Sequence, residues 1–410
     1  MNFENLRLNY PTLLSHMELT GYSRRYVDRF RREIELILSD SETAGWTCYA
    51  DIHQHYKTTT QSGSMLKGKQ VILRAIEQFD IHDRYPDGTS KGIPSKRSYG
   101  KLNIGFRRLI DNYASIAECR SNKTSSIYRI SNEASVFFLA IQDIGFSRLE
   151  DVTEEAVLSM FISPTGEKRR GYNCKKAVST VLKACANSDP ETCNRILSYL
   201  PTIKCTRKNV QYLTELESTR IKEALDNMAN WLSLRDRAIV KLAMYTGVRC
   251  SDIANMDIDS IDFERDRIIV KQQKTGVLLE LPLSAVVGNA VYDYLTIERP
   301  TTNSPALFVS RNAPFRRLKA VSVGCVSYRI FEAAGIRQSK GDRKGLHIFR
   351  HRVATILVGN DVSQAVTSHI LGQMTPTSTE SYLSADFSHL KSCALSISRF
   401  PVQGEVFCLE

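Results

Sequence analysis

Apolar residues recur mostly at helical spacing along this chain, and the rhythm changes once. Over 22–38, Tyr26, Phe30, Ile34 and Ile37 form one stripe with Arg25, Arg29 and Arg32 beside it, which predicts an amphipathic helix. A second helix is predicted over about 65–79, with Val71, Ile72, Ala75, Ile76 and Phe79 inside. "RYPDGTSKGIPSK" then breaks the pattern with Gly, Pro and Ser and places a boundary near residue 95. Helical spacing returns over 124–145 through Ile127, Ile130, Ala134, Phe138 and Ile141. Thr153 followed by Glu154 and Glu155 reads as an N-cap with an acidic first turn. Over 171–186, Ala177, Val178, Val181, Leu182 and Cys185 copy the spacing of 71–79. That raises a duplicated all-helical module of four or five helices, although any two amphipathic helices can match in this way. A short basic linker, "PTIKCTRKNVQYL", leads to residue 215. Beyond it, "RIIVKQQKTGVLLELPL" is strand-like on both sides of a tight Lys274-Thr275-Gly276 turn, hence a hairpin, with helices before and after. The expected fold class is mainly α (α+β), with all-helical N-terminal domains and one small antiparallel β-sheet in the C-terminal half.

The 410 residues leave room for two or three domains at about 100–200 residues each. No apolar run approaches the ~20 residues of a membrane span. The start, "MNFENLRLNYPTLL", lacks the layout of a signal peptide, so a cytoplasmic location is expected. Ten cysteines are scattered with no C-x-x-C pair, which favours free thiols over disulfides or zinc. The formal charge of +11 favours a polyanionic partner. The basic clusters "SRRYVDRFRR", "KRSYGK", "EKRRGYNCKK", "TRK", "FRRLK" and "GDRKG" are spread over every region, with tyrosines among them. That distribution fits a grip on a long phosphate backbone better than one local patch would; the plainer alternative is a set of solvated faces.

Three stretches carry candidate chemistry. In "LHIFRHRVA", His347 and His351 have the i, i+4 spacing of a zinc helix. Ile348 stands where the general base of that motif belongs, no third ligand is near, and adjacent arginines repel a dication, so no metal is expected. His347 and Arg350, at i, i+3, share a face and suit a phosphate: the guanidinium forks onto its oxygens while the imidazole handles a proton. His351 and Arg352 point elsewhere. In "MYTGVRCSDI", Arg249 follows Gly247 at a turn between helices, and Asp252 three residues on can orient the guanidinium. In "SHILGQMTPTSTESYLSAD", Tyr382 lies in a short polar helix or turn, beside Ser381 and Ser384 rather than core residues.

In that order, "YTGVRCSDI", "QQKTG", "HIFRH", "ILGQ" and "SYL" resemble the motifs of the tyrosine recombinases, or phage-type integrases, over about 215–397. The resemblance implies a site-specific recombinase that cleaves and rejoins DNA through a 3′-phosphotyrosine, with no metal or other cofactor. It implies that Tyr382 attacks, Arg249 and Arg350 hold the non-bridging oxygens, Lys274 (rather than Lys271) protonates the leaving 5′-hydroxyl, His347 assists proton transfer, and Asp252 supports Arg249. Gln373 stands where the family usually has His or Trp; it can donate a hydrogen bond but carries no charge. The implied domains are an accessory DNA-binding or assembly module at 1–100, a helical core-binding domain at 105–200, a linker at 201–214, a catalytic domain at 215–397 and a tail at 398–410. Arg169, Arg170, Lys175 and Lys176, the linker's Lys204, Arg207 and Lys208, and Arg316, Arg317 and Lys319 are the candidate DNA contacts. The implied partners are double-stranded DNA with inverted-repeat core sites and three further copies of the chain, joined through the tail; an accessory directionality factor is left open. Rival expectations are a type IB topoisomerase-like enzyme and a DNA-binding protein with impaired catalysis, for which Gln373 is the one supporting feature.

Overall fold

A computed structural model describes residues 3–88, 98–163, 165–203 and 211–373. The chain divides into two compact units, residues 1–91 together with 208–410, and residues 92–207.

The N-terminal part of the first unit is a bundle of α1 (Glu4–Leu19), α2 (Arg24–Thr43), α3 (Tyr49–Thr59) and α4 (Gly63–His82). The stripe expected on α2 is realised: Phe30, Ile34 and Ile37 pack with Leu6, Leu13, Met17, Ile52, Ile76 and Phe79 in one core. Asp80 locks the bundle by accepting from the Leu6 backbone and the Tyr49 hydroxyl, both at 2.8 Å.

The second unit holds α5 (Ser98–Lys101), α6 (Ile104–Cys119), α7 (Thr124–Asp143), α8 (Glu154–Phe161), α9 (Tyr172–Cys185) and α10 (Pro190–Tyr199). Its core is built by Phe106, Ile110, Phe137, Phe138, Val157, Val178, Val181 and Leu182. Thr153 caps α8 as its sequence context predicts, its hydroxyl accepting from the Ala156 backbone.

The remainder of the first unit runs through α11 (Glu215–Asp226), α12 (Leu234–Thr246), α13 (Cys250–Asn255), strands β1 (Ile261–Asp262), β2 (Arg267–Lys271) and β3 (Leu278–Pro282), then α14 (Ala285–Asp293), α15 (Ala320–Ala333), α16 (His347–Gly359) and α17 (Gln364–Ile370). The hairpin is present, with Lys271 opposite Leu278 and Arg267 opposite Pro282, and β1 extends it to three antiparallel strands. The molecule is thus mainly helical with one small sheet. Inward Ile268, Val270, Leu279 and Leu281 seat the sheet on the core formed by α12, α15 and α16. Buried Arg237 donates to the carbonyls of Ala224 and Asn227 at the end of α11, acceptors it shares with Asn230. Arg352 donates to the Leu213 carbonyl at 2.9 Å and pairs with Glu215, fixing α16 to the start of α11. Among the described residues no helix is long and apolar enough to cross a membrane, and seven free cysteines are present.

Candidate active site

Four chain segments meet at the site: the end of α12, the β2–β3 turn, the first turn of α16 and the end of α17. α12 stops at Gly247, whose φ of 64° suits a residue without Cβ. A Cβ there would press on Leu371 and Val353 at 3.1 and 3.3 Å, so the turn also needs glycine for close packing. Two residues later Arg249 precedes α13, and its Nη1 donates to Gln272 Oε1 at 2.7 Å. Asp252, the expected support of Arg249, is a more distant partner, with its Oδ2 3.9 Å from Nη1. Its Oδ1 instead accepts from the Gln273 backbone at 2.9 Å and from Ser251 at 3.2 Å. Asp252 is fully buried, and it fastens the hairpin turn to α13.

Gln272 joins the parts, and motif reading does not single it out. Its Oε1 accepts from Arg249 and from Thr275 Oγ1, at 2.7 and 2.8 Å. Its Nε2 donates to the Leu371 carbonyl at 3.0 Å. The same carbonyl accepts from Arg350 Nη2 at 2.7 Å, while Arg350 Nη1 donates to the Gly247 carbonyl at 3.1 Å. Arg249 and Arg350 are therefore joined through one amide and one carbonyl, and Gln272 and Arg350 are only 1 % and 2 % exposed. The signal for Gln272 lies in the strand alternation: Ile268 and Val270 face inward, so position 272 does too, and a polar residue there needs partners. Gly372 completes the lattice. Its φ is 60°, and a Cβ at this position would overlap the Gln272 amide. That is a physical reason for glycine after Leu371.

Arg350 and His347 project from the first turn of α16. The His347 ring is open to solvent on one side and stands 4.6 Å from the His351 ring, nearly perpendicular to it. The protein crowding its other side, then the charges of Arg350, Arg249 and Lys274, push His347 down to about 4. Burial first, then His347, pushes His351 down to about 4 as well. Both imidazoles are neutral near pH 7. Lys274 is exposed in the turn after Gln273, which closes as the Gly276 backbone donates to the Gln272 carbonyl at 2.8 Å. Gln373 follows Gly372; its backbone donates to the Ser368 carbonyl at 2.8 Å. Its Oε1 is buried without a hydrogen-bond partner among the described residues.

The structure thus gathers Arg249, Lys274, His347, Arg350 and Gln373 around one surface, with Asp252 beneath. Tyr382, Lys204, Arg207 and Lys208 lie outside the described residues. The other candidate contacts are distributed. Arg169 and Arg170 donate to the carbonyls of Ser159 and Met160, which organises the loop before α9. Lys175 is half-buried and Lys176 exposed in the first turns of α9. Arg317 pairs with Asp257 and donates to the Met256 carbonyl, so it serves the fold first. Arg316 is half-buried and Lys319 is exposed just before α15. Two fixed guanidiniums, an ammonium and a neutral imidazole can bind an anion, stabilise charge that builds on it and accept a proton beside it.

Residues 211–389 match the model of the phage integrase family. A Sinorhizobium fredii relative, "Putative integrase/recombinase y4gC", is 37 % identical over 164 residues, covering 40 % of this chain and 83 % of the relative. A longer one, "Putative integrase/recombinase y4rA" of the same organism, is 31 % identical over 165 residues, covering 40 % of this chain and 39 % of the relative. Among solved structures, the XerH site-specific recombinase bound to a palindromic difH substrate is similar with a TM-score of 0.56 at 17 % identity, covering 84 % of this chain and 94 % of that one. The lambda integrase tetramer bound to a Holliday junction is similar at 0.52 and 18 %, covering 78 % and 87 %. This chain belongs to the phage integrase family, the tyrosine recombinases. That family membership supports an enzyme that cuts and rejoins DNA.

Proposed function

We propose that this protein is a site-specific recombinase that breaks and reseals duplex DNA through a 3′-phosphotyrosine link, with Tyr382 as the nucleophile. The observation that carries the reading is the lattice in which Gln272 and the Leu371 carbonyl hold Arg249 and Arg350 together. Donors fixed before the substrate arrives need no reorganisation as charge develops, and that is where electrostatic catalysis is strongest. The Tyr382 oxygen attacks phosphorus as its proton passes to neutral His347. A phosphotyrosyl bond forms, the bond to the 5′-oxygen breaks, and Lys274 protonates that oxygen. Arg249 and Arg350 stabilise the pentacoordinate transition state, and the Gln373 amide adds a hydrogen bond. Three cationic side chains supply the charge that a metal supplies in other phosphoryl-transfer sites, so no cofactor is required. The stored phosphodiester is resealed by a hydroxyl from the same or another strand.

The partner is double-stranded DNA with inverted-repeat core sites, contacted by a core-binding domain at 105–200 and by a catalytic domain at 215–397. Lys175, Lys176, Lys319 and the linker bases touch phosphate. Four copies act on two sites, in line with the lambda integrase neighbour, which is a tetramer on a Holliday junction. The test is a nicked suicide substrate carrying the attachment site, incubated in EDTA with wild type and Tyr382→Phe. A covalent protein–DNA band from wild type alone is expected. DNA binding with no covalent band from either protein would sink the enzymatic reading in favour of a regulatory DNA-binding protein.

A further inference from the structure

The end of α12 opposite Arg249 borders a second cluster of guanidiniums. A cavity of about 380 Å³ is lined there by Arg235, Arg311, Arg316 and Arg329, together with Ser310 and Ser322. Three pieces of chain build it. Arg235 is the second residue of α12. Ser322 and Arg329 stand at i, i+7 on one face of α15. The loop over 310–316 closes the remaining side. Its ends are pinned as the Ser310 backbone donates to the Arg316 carbonyl at 2.8 Å, and the Ser310 hydroxyl donates to the Asn312 carbonyl, also at 2.8 Å. The 13 residues of α12 set this cavity about 20 Å from the Arg249 end of the helix.

The lining holds more positive charge than the protein neutralises. Asp236, only 4 % exposed, takes Arg329 on both oxygens at 2.6 and 2.9 Å and Arg235 at 3.5 Å. Glu298 accepts from the Arg235 backbone at 3.1 Å and stands 3.8 Å from Arg311. Two carboxylates thus serve three guanidiniums. The fourth, Arg316, is half-buried, and its Nη1 is buried without a hydrogen-bond partner among the described residues. Arg235 Nε is buried and unpartnered in the same way. Buried donors of this kind are costly unless something meets them.

We propose that this cavity binds a compact polyanion, a free di- or triphosphate group, with Arg316 and Arg311 forking onto its oxygens and Arg235 Nε and the Ser322 hydroxyl as further donors. The guanidinium fork matches two phosphate oxygens at once. The volume lies in the range of small-ligand sites. Four guanidiniums around one recess fit a compact anion, whereas an extended backbone is met by side chains spread along a face. Arg316 is thereby assigned to the cavity rather than to DNA. The proposal is independent of the chemistry at Tyr382, so the two readings stand or fall apart.

The test titrates the full chain, without DNA, with inorganic pyrophosphate, inorganic triphosphate and ATP by calorimetry, at an ionic strength held constant with chloride. Wild type should bind saturably. Arg316→Gln should weaken binding about 10-fold, and Arg311→Gln by less, because Arg311 is exposed and near Glu298. Melting without ligand should hold in both variants, since neither side chain makes a hydrogen bond among the described residues. Lys274→Gln, in the candidate active site, should bind as wild type does. Equal affinity for ATP and triphosphate would support the phosphate chain as the whole ligand; tighter ATP would support a nucleotide. Absence of saturable binding overturns the proposal. So does binding that survives Arg316→Gln and is lost in Lys274→Gln. Displacement of pyrophosphate by duplex DNA, with duplex affinity weakened in Arg316→Gln, overturns it too and makes the cavity part of the DNA surface.

Discussion

The helical regions and the catalytic region use their interiors differently. In residues 3–203 the buried polar side chains are the small hydroxyls Ser41, Ser135 and Thr192 among the described residues. In 211–373 they include Asp236, Arg237, Asp252, Gln272 and Arg350. Small hydroxyls satisfy themselves locally, as Ser135 does on the Ser131 carbonyl, and leave the bundle to apolar packing. Buried charges survive only with partners that hold them in place, and holding them in place is what phosphoryl-transfer chemistry requires. The first interior is an apolar scaffold; the second holds charged and polar side chains in fixed positions.

The sharpest way to break this contrast is Arg350→Met. It should leave the Gly247 carbonyl without this donor and lower suicide-substrate cleavage by roughly 100- to 1,000-fold. Gel-measured covalent complex checks the rate; near-normal cleavage would detach chemistry from the buried network. Gln272→Leu should come next. It removes the link between the arginines without removing either charge, and it should destabilise the fold by about 1–3 kcal/mol in denaturant titration. Cleavage should fall while DNA affinity holds; the opposite split would make Gln272 a binding residue. His347 sharpens the comparison through pH. Its folded value of about 4 is below the ordinary histidine value, so its contribution to stability is full above about pH 6.5 and is lost as pH falls toward 4. Imidazole NMR should show titration near 4 in the free protein and a higher value with DNA, whose phosphate favours the imidazolium; an ordinary midpoint without DNA would contradict the crowded, cation-rich setting. The smallest effect belongs to the scaffold. Lys175→Gln with Lys176→Gln should reduce the salt dependence of binding by at most about 2 and shift melting little, because neither lysine is fully buried.

The sequence made some layers of this molecule plain and hid others. Amphipathic periodicity placed α2, α4, α7 and α9, and the turn chemistry of Lys274-Thr275-Gly276 placed the hairpin. Spacing alone put His347 and Arg350 on one face of α16. What spacing does not convey is which side chain answers which across the fold. Gln272 and Leu371 are 99 residues apart and meet through a hydrogen bond that no local pattern encodes. Asp252 shows the same limit: i, i+3 proximity pointed to Arg249, while its shorter bonds go to the Gln273 backbone and Ser251. The spacing of α4 and α9 hinted at a duplication; what the structure adds is that the α1–α2 and α6–α7 turns make the same backbone bonds with different residues, as Tyr22 to Met17 and Asn122 to Ala117.

Gly372 gives the lattice a further meaning. It never needs to meet DNA, yet any side chain there would push the Gln272 amide off the Leu371 carbonyl. A single methyl at this position would therefore disturb the link between the two arginines from behind, without altering any candidate catalytic side chain.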